Sequence, residues 1–253
     1  MLTFGSLFAG IGGFDLGLER AGMVCKWQAE IDDYATKVLE KHWPDVPRYR
    51  DVCEFPPAEG VEKVDLICGG FPCQDISSCG KKEGINGDRS GLWIEYKRIV
   101  RVLRPRFVLI ENVSALLIRG LDRVLCDLAS LGYDAEWHTF SAAQFGAYHI
   151  RERVFILAYT DRDRREAIIA PGSVPRKSVV ETKAEWCGHK PKLKRGASSR
   201  VWPLPDAKIL GVDDGFYREL DPNRLRCLGN AVVPQVAEFI GRQIVKASDS
   251  EGD

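Results

Sequence analysis

No apolar run in this 253-residue chain approaches the roughly twenty residues needed to cross a bilayer, so no membrane-spanning helix is expected. Met1-Leu2-Thr3-Phe4 lacks the basic stretch of a signal peptide and leads straight into a strand-like run. Paired CxxC spacing is also missing. The eight cysteines, Cys25, Cys53, Cys68, Cys73, Cys79, Cys126, Cys187 and Cys227, are scattered, which speaks against a metal site and a disulfide framework. They read as reduced thiols in a cytoplasmic protein. Net charge is absent as well: 36 basic and 36 acidic side chains cancel, excluding attachment to nucleic acid by bulk charge alone. There is no internal repeat, and the N-terminal glycines lack the GxGxxG spacing of a nicotinamide or flavin fingerprint.

What is present is ordinary in amount and informative in arrangement. A hydrophobic share of 45% with 28% charged residues suits a globular chain with room for a sizeable core. Strand-length apolar runs at 3–8, 24–30, 64–68, 106–111, 135–141 and 154–159 alternate with helical periodicity at 14–20, 32–42, 92–103 and 121–131. That alternation predicts a doubly wound α/β sheet. From 161 to 223 the pattern breaks, and eleven Lys and Arg stand against four Asp and Glu between Arg162 and Arg200. This stretch is either a phosphate-facing surface or a solvated loop. Amphipathic spacing returns at 236–245, so residues 1–160 and 224–253 are expected to form one domain, with 161–223 as a small inserted region. Residues 248–253 read as a tail.

Four constellations carry chemistry. The first is Phe8-Ala9-Gly10-Ile11-Gly12-Gly13-Phe14, between the first strand and first helix, where glycines let a ligand approach the backbone. Glu30 follows at the end of the second strand, placed for ribose hydroxyls, and Asp51-Val52 is placed for an adenine amino group. Singly each acid could be a surface residue; in this order they describe an adenosine-containing ligand. The second is Gly69-Gly70-Phe71-Pro72-Cys73-Gln74-Asp75-Ile76-Ser77, which presents a thiol on a rigid loop after an apolar strand. The alternative is a buried structural cysteine. The third is Glu111-Asn112-Val113, at the same sheet edge, where burial should raise the carboxyl pKa unless Glu111 merely caps a turn. In the fourth, His149-Ile150-Arg151-Glu152-Arg153, strand alternation puts Arg151 and Arg153 on one face, for anion stabilisation or plain salt bridging.

Together these motifs resemble the DNA cytosine-5 methyltransferases, across residues 6–159 and again from 225 onward. Gly70-Phe71-Pro72-Cys73-Gln74, Glu111-Asn112-Val113 and the arginine pair are the most specific pieces. The resemblance implies a Rossmann-like fold binding S-adenosylmethionine, with S-adenosylhomocysteine as product. Phe8, Ala9, Gly10, Gly12, Gly13, Glu30, Ile31, Asp51, Val52, Pro72 and Leu92 would line the cofactor pocket. Asn230 and Val232, from Leu228-Gly229-Asn230-Ala231-Val232, would complete it. It further implies Cys73 as nucleophile at C6 of a flipped cytosine, Glu111 as proton source, and Arg153 with Arg151 at the base O2. Gln74, Ser77, Asn112, Val113 and His149 would hold the base. His149 stands where the family more often has Gln, and Phe71 where it more often has a small residue or Pro. The 161–223 region is too short to align the family's penultimate motif. The implied partner is duplex DNA and the expected working form a monomer; a lone modifying enzyme, a phage protein and half of a restriction system with a cognate restriction endonuclease all fit these residues alike. RNA methylation, a noncatalytic DNA-binding relative and, least favoured, a nicotinamide oxidoreductase are the competing readings.

Overall fold

Residues 1–72, 91–147, 150–160, 168–169 and 221–249 are described by the computed structural model. Their centre is a seven-stranded sheet in the order β3-β2-β1-β4-β5-β7-β6. The strands are β1 (Thr3–Leu7), β2 (Val24–Ala29), β3 (Arg48–Tyr49), β4 (Leu66–Gly69), β5 (Phe107–Val113), β6 (Tyr133–Ser141) and β7 (Glu152–Thr160). The first five are parallel, and β7 runs antiparallel to both β5 and β6. Ile67, Cys68, Val108, Leu109 and Ile110 are wholly buried, which explains why these strands read as continuous apolar runs rather than alternating ones.

Helices cover both faces. On one lie α3 (Gly91–Leu103), α4 (Leu116–Arg119) and α5 (Leu121–Ser130), whose Trp93, Tyr96, Ile99, Val124 and Leu128 fill one core. On the other, α1 (Gly13–Arg20) and the C-terminal helix α7 (Pro234–Asp249) bring Phe14, Leu18, Val236, Ile240 and Ile244 into a second. Between α1 and α7 the backbones nearly touch: a Cβ on Gly17 would meet the Pro234 carbonyl oxygen at 2.4 Å. Two further helices border the sheet edge, α2 (Asp33–His42) and α6 (Pro222–Asn230).

Local sequence sets the helix ends. Asp32 caps α2 by accepting the N–H groups of Tyr34 and Ala35 at 3.0 and 2.9 Å. Gly132, at φ +80, closes α5. Asp221 accepts the Asn223 N–H at 2.9 Å ahead of Pro222 in the first turn of α6, a start signal that helical periodicity alone passes over. Asp127 ties α5 to α3 by accepting from Trp93 Nε1 at 2.9 Å and Lys97 Nζ at 2.6 Å. That fixes the helix entered from residues 73–90. No helix among the described residues is long and apolar enough to cross a membrane, and none of their His, Cys, Asp or Glu side chains cluster as a metal site.

Candidate active site

Strand order reverses between β1 and β4, so the loops leaving their carboxyl ends diverge and open a crevice. A cavity of about 410 Å³ fills it, within the roughly 300–1,000 Å³ of small-molecule sites.

The first wall follows β1 and β2. Gly10 has φ +57 and nothing within 4 Å of where a Cβ would stand, so its backbone is open to the cavity. Glu30 is held rigidly: one carboxylate oxygen accepts the Gly10 N–H at 2.7 Å and the other the Asp32 N–H at 2.8 Å. Ile31 is 63% exposed at the rim. Asp51 accepts the Cys53 N–H at 2.8 Å, and Val52 is buried beside it. Arg50 donates to the Ile31 carbonyl and the Asp33 carboxylate, locking the Asp51 loop to the start of α2.

The opposite wall follows β4 and β5. Glu111 is 7% exposed, and its Oε1 lies 3.1 Å from Arg153 Nε. Burial pushes its carboxyl up to about 7, against the opposing pull of Arg153 and Arg151. Gly70 makes room for this group, since a Cβ there would stand 2.8 Å from Glu111 Oε2. Asn112 donates to the Phe71 carbonyl at 3.1 Å while its Oδ1 accepts the Val113 N–H at 2.9 Å. The end of β5 is thereby fastened to the backbone one residue before Pro72, from which the chain enters Cys73.

Of the predicted cofactor set, Phe8, Gly10, Glu30, Ile31, Asp51, Val52, Pro72, Leu92 and Asn230 line the cavity, as do Glu111, Asn112, Val113, Arg151 and Arg153. Ala9, Gly12, Gly13 and Val232 are not among the lining residues. Two of the glycines serve packing instead: a Cβ on Gly12 would meet the Trp43 ring, and one on Gly13 the Val232 carbonyl oxygen, both at 2.4 Å. Cys73, Gln74, Ser77 and His149 lie outside the described residues.

Arg151 and Arg153 both line the cavity and both pull on Glu111, but strand alternation is not what places them there. β7 starts at Glu152, and Arg151 precedes it with φ +31, so strand alternation does not reach it. Left-handed backbone of this kind costs a non-glycine residue about 1–2 kcal/mol. Arg153 turns to Glu111, whereas Arg151 donates to the carbonyls of Gly229 and Ala231 at 2.6 and 2.9 Å. Sequence reasoning passed over Asp32, Arg50, Arg226 and Cys227, which also line the cavity. Asp32 was legible as a helix cap, and Arg226 and Cys227 directly precede a motif already singled out.

A family model described as C-5 cytosine-specific DNA methylase matches residues 2–202. The chain belongs to that family. Among curated relatives, the Type II methyltransferase M.DsaV of Dactylococcopsis salina is 32% identical over 213 residues, which is 76% of this chain and 60% of that protein. M.HgiCII of Herpetosiphon aurantiacus is 35% identical over 158 residues, 61% of this chain and 36% of that one. M2.BsuMI of Bacillus subtilis is 37% identical over 176 residues, 65% and 44% respectively. The chain thus spans between about a third and three fifths of the length of these family members. Two solved structures share the doubly wound methyltransferase fold. Entamoeba histolytica methyltransferase EhMeth superimposes with TM-score 0.66 at 14% identity over 100% of this chain and 99% of that one. Schizosaccharomyces pombe Dnmt2 methyltransferase does so with TM-score 0.60 at 16% identity over 100% of both.

Proposed function

We propose that this chain transfers a methyl group from S-adenosylmethionine to C5 of a cytosine flipped out of duplex DNA, leaving S-adenosylhomocysteine. One observation carries the reading. A buried carboxyl that keeps its proton to about pH 7, Glu111, sits against Arg153 in the same cavity as a rigidly held acid, Glu30. A polarised proton donor and an adenosine-type cradle in one crevice suit transfer to a ring that must be activated by protonation.

The residues present fit the cofactor. Glu30 suits ribose hydroxyls, Asp51 and Val52 the adenine edge, and the open backbone at Gly10 a close-lying chain. Phe8, Ile31, Pro72 and Leu92 supply apolar contact, and Asn230 a polar one. Bound there, the cofactor would supply an electrophilic methyl group.

The chain's own residues prepare the base. The Cys73 thiolate adds to C6, forming an S–C6 bond and moving ring electrons toward C5. Glu111 donates to N3 and accepts from the exocyclic amine, drawing charge from the ring as the thiolate adds. Arg153 holds both the base O2 and the Glu111 carboxyl. Once C5 has gained the methyl group, loss of its proton to solvent lets the S–C6 bond break and returns the thiolate. Gln74, Ser77, Asn112, Val113 and His149 are assigned to holding the flipped nucleotide, because C5 and C6 are inaccessible within a duplex. In this reading residues 1–160 and 224–253 are the catalytic body, 161–223 recognise the target, and a cognate endonuclease is a functional counterpart.

Incubation with tritiated S-adenosylmethionine and either mixed-sequence duplex DNA or tRNA, followed by bisulfite mapping, tests this. Label at cytosine C5 in DNA is expected. Label confined to tRNA would overturn the substrate assignment, and no label in either would overturn the enzyme reading.

A further inference from the structure

Helix α6 supplies Arg226, Cys227, Gly229 and Asn230 to the cavity wall, yet no residue of it is buried. Its two leucines, Leu225 and Leu228, are 41% and 48% exposed. Apolar burial therefore does not seat this helix.

Polar contacts do. Arg226 pairs with Asp32, beside the acid assigned to the ribose. At the far end Arg151 donates Nη1–H to the Gly229 carbonyl at 2.6 Å and Nη2–H to the Ala231 carbonyl at 2.9 Å. Those two carbonyls belong to the 229–230 and 231–232 peptides, and a planar guanidinium that takes both holds the backbone on either side of the Asn230-Ala231 pair. Immediately beyond, the chain is immobilised by packing. Gly13 lies hard against the Val232 carbonyl, and α7 buries Val236, Ala237 and Ile240. Arg151 thus acts at the joint between a packed helix and an unpacked one. Two residues later Arg153 holds Glu111.

We infer that Arg151 is a positioning residue for the cofactor wall rather than a group that acts on the base. It seats α6 and orients Asn230, and the work on the reacting ring falls to Arg153. The inference rests on the methyltransferase reading above, and it divides the tasks of two arginines that the sequence presents as a pair.

Calorimetric titration of the full chain with S-adenosylhomocysteine, together with steady-state kinetics on duplex DNA at varied S-adenosylmethionine, separates the roles. Arg151→Ala is expected to raise the Kd for S-adenosylhomocysteine and the KM for S-adenosylmethionine about tenfold, with kcat at saturation falling less than about threefold. Arg151→Lys, a point charge without the fork, should recover only part of that loss. Arg153→Ala should do the reverse, losing about a hundredfold or more in kcat while binding S-adenosylhomocysteine within about twofold of the parent. Peptide mapping after iodoacetamide gives a readout independent of turnover: Cys227 should be protected by S-adenosylhomocysteine in the parent and alkylated faster in Arg151→Ala.

Should Arg151→Ala fail to fold, Arg226→Gln, at an exposed contact, carries the test with an expected severalfold rise in Kd. A fall in kcat for Arg151→Ala at unchanged Kd and unchanged Cys227 labelling would assign Arg151 to the base and overturn the inference. An unchanged Kd in Arg226→Gln would overturn the polar seating of α6. Failure of the parent protein to bind S-adenosylhomocysteine would instead overturn the methyltransferase reading beneath both.

Discussion

Glu111 is a carboxyl caught between opposing influences, and burial wins over two arginines. The folded protein keeps the proton up to about 7, whereas the unfolded chain releases it near 4.5. A raised folded pKa contributes stability that is complete below the unfolded value and is lost as pH rises through the folded one. Between pH 4.5 and 8 this group alone should cost the folded state about 3 kcal/mol. Glu111→Gln cannot ionise, so in urea unfolding its stability relative to the parent should climb by about that much across the same window; a pH-independent gap would place the carboxyl's pKa near its ordinary value. The same substitution should slow methyl transfer by about a hundredfold or more, because the amide carries no transferable proton. Cys73→Ala should abolish both transfer and covalent trapping on 5-fluorocytosine DNA while leaving S-adenosylhomocysteine binding intact. Trapping that survived would move the nucleophile elsewhere. Glu111 was legible because it ends an apolar strand, and burial there was foreseeable. The partner of Arg151 was not, because a single left-handed residue interrupts the alternation from which its direction was read.

Elements meet around the cavity through backbone contact as much as through side chains. Gly13 opens α1 against the Val232 carbonyl, where a Cβ would stand at 2.4 Å, and the backbone atom opposite cannot swing aside. Gly13→Ala should therefore cost about 1–3 kcal/mol of stability and weaken S-adenosylhomocysteine binding, since relief requires shifting the segment that carries Asn230. Gly91→Ala is the control: nothing lies within 4 Å of its Cβ position, and thermal unfolding should change by no more than about 0.5 kcal/mol. Equal changes in the two variants would show that the Val232 contact does not set the Gly13 effect. The long elements could be read from sequence because burial on both faces of β4 and β5 leaves unbroken apolar runs, and because Asp32 and Gly132 mark helix ends. Helix α6 escaped because, over nine residues, it carries only Leu225, Cys227 and Leu228 as apolar side chains, too few to stand out as a helical stripe. Strand β3, at two residues, is too short to carry a period at all.

For the whole molecule, the crevice at the strand-order reversal ties ligand binding to stability. A ligand that binds only the folded state at a hundredfold excess over its Kd adds about 2.7 kcal/mol. For a chain of this size that corresponds to a rise in Tm of roughly 5–10 °C with S-adenosylhomocysteine, measurable by differential scanning fluorimetry. NAD at equal concentration should leave Tm unchanged; a shift with NAD instead would revive the oxidoreductase alternative. The doubly wound plan was readable from alternating runs, but the antiparallel seventh strand was not. Nothing in the apolar stretch of Val154, Phe155, Ile156, Leu157 and Ala158 says which way it runs, since both directions bury it equally.

The seating of α7 on α1 has a kinetic consequence. Arg242 donates to the Arg20 carbonyl across 222 positions of sequence, and the Gly17 and Gly13 contacts close comparably long loops. Closing such loops is entropically late, so the parallel strands can assemble before the C-terminal helix docks. Because Asn230 sits two residues from Val232, where this packing begins, refolding chains should recover native-like circular dichroism before they regain the capacity to bind nucleoside.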